Sequence, residues 1–216
     1  MRIACLHTAH SNVAVFEDAA LQLGLPAGVL CHGVRPDLLA DAEAAGGVTA
    51  QIVDATQHAL MELAFSADAV LLTCSSLGPV AHTMLSQTQV PVLRTDAALA
   101  QAAPRVNGRV VVLCAVATTV QPTTELFLHA AAHHPQAVMD VRLVEGAWAL
   151  FKAGQLSTYW VCVARAADAA YAQGAAQVVL AQASMGGAAQ LVTAGPRPLS
   201  SACAGLAAAV KACQAG

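Results

Sequence analysis

The chain is written twice. "RIACLHTAHSNVAVFEDAA" from Arg2 lies over "RVVVLCAVATTVQPTTELF" from Arg109 without a gap, so that Leu6 meets Leu113, Ser11 meets Thr118 and Asn12 meets Thr119. With one inserted residue, "ADAVLLTCSSLG" from Ala67 lies over "AAQVVLAQASMGG" from Ala175. Val70 then meets Val178, Cys74 meets Gln182, Ser76 meets Ser184 and Gly78 meets Gly186. A repeat of this length restricts the fold to two similar units, each the size of a small domain.

Both copies alternate short apolar runs with Ala/Leu-rich stretches. The runs predicted as strands are Ile3 to His7, Gly28 to His32, Ala69 to Thr73, Val90 to Arg94, Val110 to Ala115, Val138 to Val144 and Gln177 to Ala181. They carry Val, Leu and Ile without polar alternation, which suits parallel strands buried on both faces. Helical spacing runs through Val15 to Leu23, Pro36 to Ala45, Thr56 to Ala64, Val80 to Gln87, Thr123 to His133, Leu156 to Gln173 and Ser200 to Ala212. The class is α/β with parallel sheets. A first domain over 1–97, completed by a helix over 199–216, and a second over 98–198 are expected.

Ligands of open parallel sheets bind at the carboxyl ends of strands, beside the starts of the following helices. The repeat places two loops there in each half. One carries Ser11-Asn12 or Thr118-Thr119; the other carries Cys74-Ser75-Ser76 or Gln182-Ala183-Ser184. Facing each other across a cleft, these short donors and neighbouring backbone amides would hold a carboxylate without an arginine. Thr8 and Thr73 stand beside the same loops and join the candidate substrate contacts. Cys74, expected at the start of a helix, would have its thiol pKa lowered and act as acid, base or nucleophile.

Composition removes other classes. Of 216 residues 57% are hydrophobic and 11% charged, net charge is -3, and no cluster of Lys and Arg occurs, which argues against a nucleic-acid partner. Mean hydropathy is +0.59, yet no apolar run approaches the roughly 18 residues of a membrane span, and "MRIACLHTAHSN" has no signal-peptide core. The expectation is a cytoplasmic protein, and by the habit of soluble proteins a homo-oligomer. Seven cysteines without a CxxC pair read as reduced thiols, six of them as core filler. The eight histidines show no HExxH or comparable spacing, so no metal site is expected; His7 and His10, read as loop residues, could supply a second proton. Asp96 reads as a helix cap. Without a GxG-type phosphate loop no nucleotide cofactor is expected.

Five loops, "HTAHSN", "LLTCSSLG", "VPVLRTDAALA", "LCAVATTVQPT" and "VVLAQASMGG", resemble in order those of the aspartate/glutamate racemase superfamily, which includes hydantoin racemases, maleate isomerases and arylmalonate decarboxylases. The resemblance implies two flavodoxin-like domains related by a pseudo-twofold axis, a cleft between them, and no cofactor. It also implies proton transfer at the carbon α to a carboxylate, with one thiol on each side of the substrate. Cys74 occupies the first thiol position, and Gln182 stands where the second cysteine belongs. An amide is neither acid nor base near neutral pH. The expected activity is therefore that of a one-cysteine racemase or isomerase acting on a small amino acid or related acid. The alternatives are an arylmalonate-type decarboxylase, which protonates its enediolate on one face only, and a non-catalytic protein that binds small anions.

Overall fold

Residues 1–215 are described by a computed structural model. The chain divides into two compact units, Met1–Ala98 with Ala202–Gly216 and Leu99–Ser201. Each is built on its own four-stranded parallel sheet.

The first unit runs β1 (Ile3–His7), α1 (Ser11–Gln22), β2 (Leu30–Val34), α2 (Pro36–Ala44), α3 (Ala50–Ala64), β3 (Ala69–Leu72), α4 (Val80–Thr83) and β4 (Val92–Arg94). The boundary between units falls within α5 (Thr95–Ala102). The second unit continues with β5 (Gly108–Cys114), α6 (Val120–Ala131), β6 (Ala137–Leu143), α7 (Ala147–Lys152), α8 (Leu156–Ala172), β7 (Gln177–Leu180) and β8 (Leu199–Ser200). The chain then returns to the first unit as α9 (Ser201–Ala215).

Strand order is β2-β1-β3-β4 in the first sheet and β6-β5-β7-β8 in the second. The same order in the same sequence position is the structural counterpart of the internal repeat, and every pairing is parallel. Strands β1 and β3 are buried along their whole length, as their unbroken apolar sequences require. Alternate side chains of these strands serve different layers. Ala4, Leu6, Val70 and Leu72 pack against Leu38, Ile52 and Leu60 of α2 and α3, while Cys5 and His7 point away from that cluster. In the second unit Val111, Leu113, Val178 and Leu180 pack against Tyr159, Val163 and Ala167 of α8.

Local signals set the helix starts. Pro36 opens α2, and Thr49 caps α3 by accepting the Ile52 N–H at 3.4 Å. That cap begins α3 six residues before the apolar periodicity first suggests a helix. Two of these elements were not foreseen: α7, and β8, which is only two residues long and pairs with β7. α9 is held in its unit by Cys203, whose thiol donates to the Gln22 side-chain oxygen at 3.7 Å, and by Gly205, which lies against Thr95. No described helix is long and apolar enough to cross a membrane.

Candidate active site

In the first unit the site is built where β1 and β3 end side by side. Thr73, just past β3, binds the Leu6 carbonyl twice, through its N–H at 3.1 Å and its hydroxyl at 3.0 Å. The chain then turns through Cys74, Ser75, Ser76, Leu77 and Gly78, closed by the Gly78 N–H on the Ser75 carbonyl at 3.2 Å. Cys74 is 8% exposed, and its sulfur is engaged by the Thr8 hydroxyl and by the backbone N–H groups of Ser76 and Leu77. Ser75 and Ser76 are half-buried.

Two expectations about this thiol are corrected. The helix after it, α4, starts only at Val80 and has four residues, so no helix dipole acts on Cys74; the amides that reach it belong to the turn. Nor is the thiol pKa lowered. Burial pushes it up from the ordinary value of 9.0, more strongly than the Thr8 and turn contacts pull it down, and the Asp96 carboxylate adds to the rise. Near neutral pH Cys74 is a thiol.

Asp96 is not the cap expected of it: α5 begins one residue earlier, at Thr95, and Asp96 lies in its first turn. Its carboxylate takes two hydrogen bonds from the Arg94 guanidinium, at 2.7 and 2.6 Å, and the pair is almost out of solvent. The Arg94 guanidinium lies flat on the turn at Gly78, where an added Cβ would stand 2.7 Å from it. Arg94 is thus a residue the sequence reading passed over; only its place in "VPVLRTDAALA" pointed to it. The pair ties β4 to the cysteine loop.

The loop after β1 holds the third part of the site. Ser11 opens α1 and is half-buried; Asn12 is 5% exposed. The residue in the capping position is His10, which makes no side-chain cap, so neither Ser11 nor Asn12 serves as one. The Asn12 side-chain oxygen is buried without a hydrogen-bond partner, an acceptor that costs free energy until a donor reaches it. His7 is not a loop residue. It ends β1 fully buried, with one ring nitrogen 2.9 Å from the Thr73 hydroxyl and the other 2.9 Å from His32, and burial lowers its pKa to about 3. It is neutral and committed, which removes it as the second proton source; His10 is exposed.

In the second unit the corresponding residues are used internally. The Gln182 side-chain oxygen accepts the Ala115 N–H at 2.7 Å, and its NH2 donates to the Thr119 hydroxyl at 3.1 Å. Thr119 donates in turn to the Val116 carbonyl at 2.7 Å. Gln182 is therefore a strut that joins the two loops of its unit. The Ser184 hydroxyl pairs with the Tyr159 hydroxyl at 2.9 Å, and its carbonyl accepts the Trp160 indole N–H at 2.9 Å. Gly187 lets the Trp160 ring lie against the same loop. Thr118 alone among these residues is exposed. The structure thus brings Thr8, Ser11, Asn12, Thr73, Cys74, Ser75 and Ser76 to the strand ends of the first unit, and Thr118, Thr119, Gln182 and Ser184 to those of the second.

The sequence profile of the family described as Asp/Glu/Hydantoin racemase matches residues 8–213. The chain belongs to that family. No curated protein matches it. Among solved structures, the aspartate racemase of Picrophilus torridus shares 12% identity with a TM-score of 0.75, over 99% of this chain and 95% of the other. The allantoin racemase of Pseudomonas fluorescens shares 18%, TM-score 0.66, over 100% and 92%. A liganded double mutant of arylmalonate decarboxylase shares 19%, TM-score 0.59, over 100% and 93%. At such identities these similarities establish the two-domain fold. Membership of the racemase family places the chain among enzymes in general terms; what this member does is a matter of its own residues.

Proposed function

We propose that this racemase-family chain is a cofactor-independent enzyme that transfers a proton at the carbon α to the carboxylate of a small amino acid or related acid, with Cys74 as its single acid and base. The observation that carries this reading is the Cys74 turn, which holds one buried thiol on a hydroxyl and two backbone amides at the end of β3, while at the start of the helix that follows the neighbouring β1 the Asn12 oxygen is buried without a partner. Those donors stabilise a thiolate when it forms, and the Asn12 acceptor suits the ammonium group of an amino acid. The substrate carboxylate would be taken by the Ser11, Ser75 and Ser76 hydroxyls at the strand ends of the first unit.

Proton bookkeeping limits the outcome. The Cys74 thiol first gives its proton to water; the thiolate takes the α-proton, the C–H electron pair becomes the enediolate, the thiol trades its hydrogen with water and returns a proton to the same face. Gln182, which corresponds to Cys74 in the repeat, is an amide tied to Ala115 and Thr119 and supplies no second acid. The reaction then exchanges the α-hydrogen with retention of configuration.

One observation favours a second reading. A thiol held protonated by burial is better prepared to give a proton than to take one. Loss of carbon dioxide from a malonate would leave the enediolate, which takes the Cys74 proton, and water then restores the thiol.

The test is NMR of amino acids, hydantoins and malonates incubated with the enzyme in heavy water. Deuterium at the α-carbon of an amino acid or hydantoin supports the first reading. Deuterated monoacid from a malonate supports the second. Failure of all three classes, with the Cys74→Ser variant indistinguishable from the parent, leaves a protein that only binds anions.

A further inference from the structure

Behind the cysteine loop, on the face of the sheet that β1 turns toward α1, Cys5, His7 and His32 converge. Along the chain they have no metal-like spacing, but parallel pairing brings them together. Cys5 and His7 are two apart on β1 and so share a face, and Cys5 is the direct cross-strand partner of His32 on β2. The Cys5 sulfur and one nitrogen of each ring all lie within 4.8 Å of one another. Two ligands at alternate positions of one strand and a third on its neighbour give a three-point site on a rigid support.

The outer contacts of both rings have the form expected around a metal. A ligating histidine is normally oriented by an oxygen on its other nitrogen. His7 Nδ1 lies 2.9 Å from the Thr73 hydroxyl, and His32 Nε2 lies 2.9 Å from the Glu17 carboxylate. Phe16 packs edge-on against the His7 ring with centroids 5.1 Å apart, which fixes its plane. What remains is His7 Nε2 facing His32 Nδ1 at 2.9 Å, with the Cys5 thiol beside them.

The hydrogens of this network have more than one consistent arrangement. In one, the Thr73 hydroxyl donates to His7, His7 Nε2–H donates to His32, and His32 donates to Glu17. In another, the Thr73 hydroxyl donates to the Leu6 carbonyl, as its 3.0 Å separation allows, and His7 Nδ1–H donates to Thr73. The two inner nitrogens then turn lone pairs toward each other, a gap that either a second proton on His32 or a metal ion closes.

We propose that Cys5, His7 and His32 form a binding site for a borderline transition-metal ion of the Zn2+ kind, through the Cys5 sulfur, His7 Nε2 and His32 Nδ1, with water as fourth ligand. Thiolate and imidazole donors select such ions over Mg2+ or Ca2+. Metal–nitrogen bonds of about 2.0–2.1 Å in tetrahedral geometry need the nitrogens roughly 3.3 Å apart, so the rings must part by about 0.4 Å. His32 is able to give because β2 is the edge strand of its sheet and the side chain is 14% exposed. On binding, the Cys5 thiol loses one proton to solvent, the His7 proton moves from Nε2 to Nδ1, and both imidazoles stay neutral. The ion would brace β1 against β2 and takes no part in the reaction at Cys74.

The full-length protein, stripped with a chelator and titrated with Zn2+, should bind one ion per chain and release one proton per ion. Its melting temperature should rise with Zn2+ concentration. Co2+ at the same site should give tetrahedral visible bands and a near-ultraviolet thiolate-to-metal band. His32→Gln and Cys5→Ala should each weaken binding at least about 100-fold and abolish that band. Glu17→Gln, at the surface, should weaken it about 10-fold or more. Cobalt without a thiolate band overturns the proposal, and so do affinities in His32→Gln and Glu17→Gln equal to the parent's. No Zn2+ bound by the chelator-treated parent overturns it as well.

Discussion

Cys74 is reached by three hydrogen-bond donors and yet has its pKa raised, because taking a thiolate out of water outweighs what the Thr8 hydroxyl and two amides return. Iodoacetamide at pH 7 should therefore label the half-buried Cys31, Cys162 and Cys203 before Cys74. Labelling of Cys74 should accelerate only as pH rises past 9, which peptide mapping across pH will show. Replacing its sulfur by oxygen removes the proton carrier from a turn closed by the Gly78 N–H on the Ser75 carbonyl, and leaves an oxygen able to accept from the same amides. Cys74→Ser should lower α-exchange by at least about 100-fold with a melting temperature within a few degrees of the parent. Gln182 lies at the opposite extreme, since both ends of its amide are in use. Gln182→Ala should cost about 1 kcal/mol for the Ala115 N–H it leaves, or a few degrees by thermal melting. Gln182→Cys should bring racemisation to a substrate that the parent exchanges with retention, measured by chiral chromatography.

At the level of elements, the loop after β7 depends on the Trp160 ring lying against a residue without a side chain. Gly187→Ala should lower the melting temperature by several degrees, since the Cβ collides with a ring fixed by its bond to the Ser184 carbonyl. Trp160→Ala in the same background should recover part of the loss if that collision is the cause. Long buried strands such as β1 and β5 were legible from apolar runs alone, and the repeat identified their neighbours. The two-residue β8 was not, because a run so short has no period. The Cys74 turn was legible as a site but not as an environment: sequence shows which donors are near, while the burial that decides the sign of the pKa shift comes from packing. Arg94 and Asp96 were separable only in space, since nothing in "RTD" says that the guanidinium lies on Gly78. The meeting of His32 with Cys5 is a matter of strand register, which one strand's sequence does not carry.

Across the whole molecule, Cys74, Cys114 and Tyr159 all have pKa values raised chiefly by burial. Each is favoured neutral in the folded state. The stability they contribute is complete below the ordinary thiol value of 9.0 and is lost as pH climbs toward the folded values. Each group so caught removes about 1.4 kcal/mol per pH unit. Urea midpoints should hold level up to about pH 8.5 and then fall steeply, while a level profile to pH 11 would show that these groups titrate as freely folded as unfolded.

The path of the chain into α9 has a bearing on synthesis. Ala202, Leu206 and Ala209 are buried parts of the first unit, but the whole of Leu99–Ser201 is made before them. At about 5–20 residues per second the second unit takes roughly 5–20 s to emerge. During that interval the first unit has all four of its strands but not its last helix, and the surface α9 will cover is open to chaperones or to a neighbouring nascent chain. The two halves of the repeat thus differ in birth order: the one begun first is the one finished last.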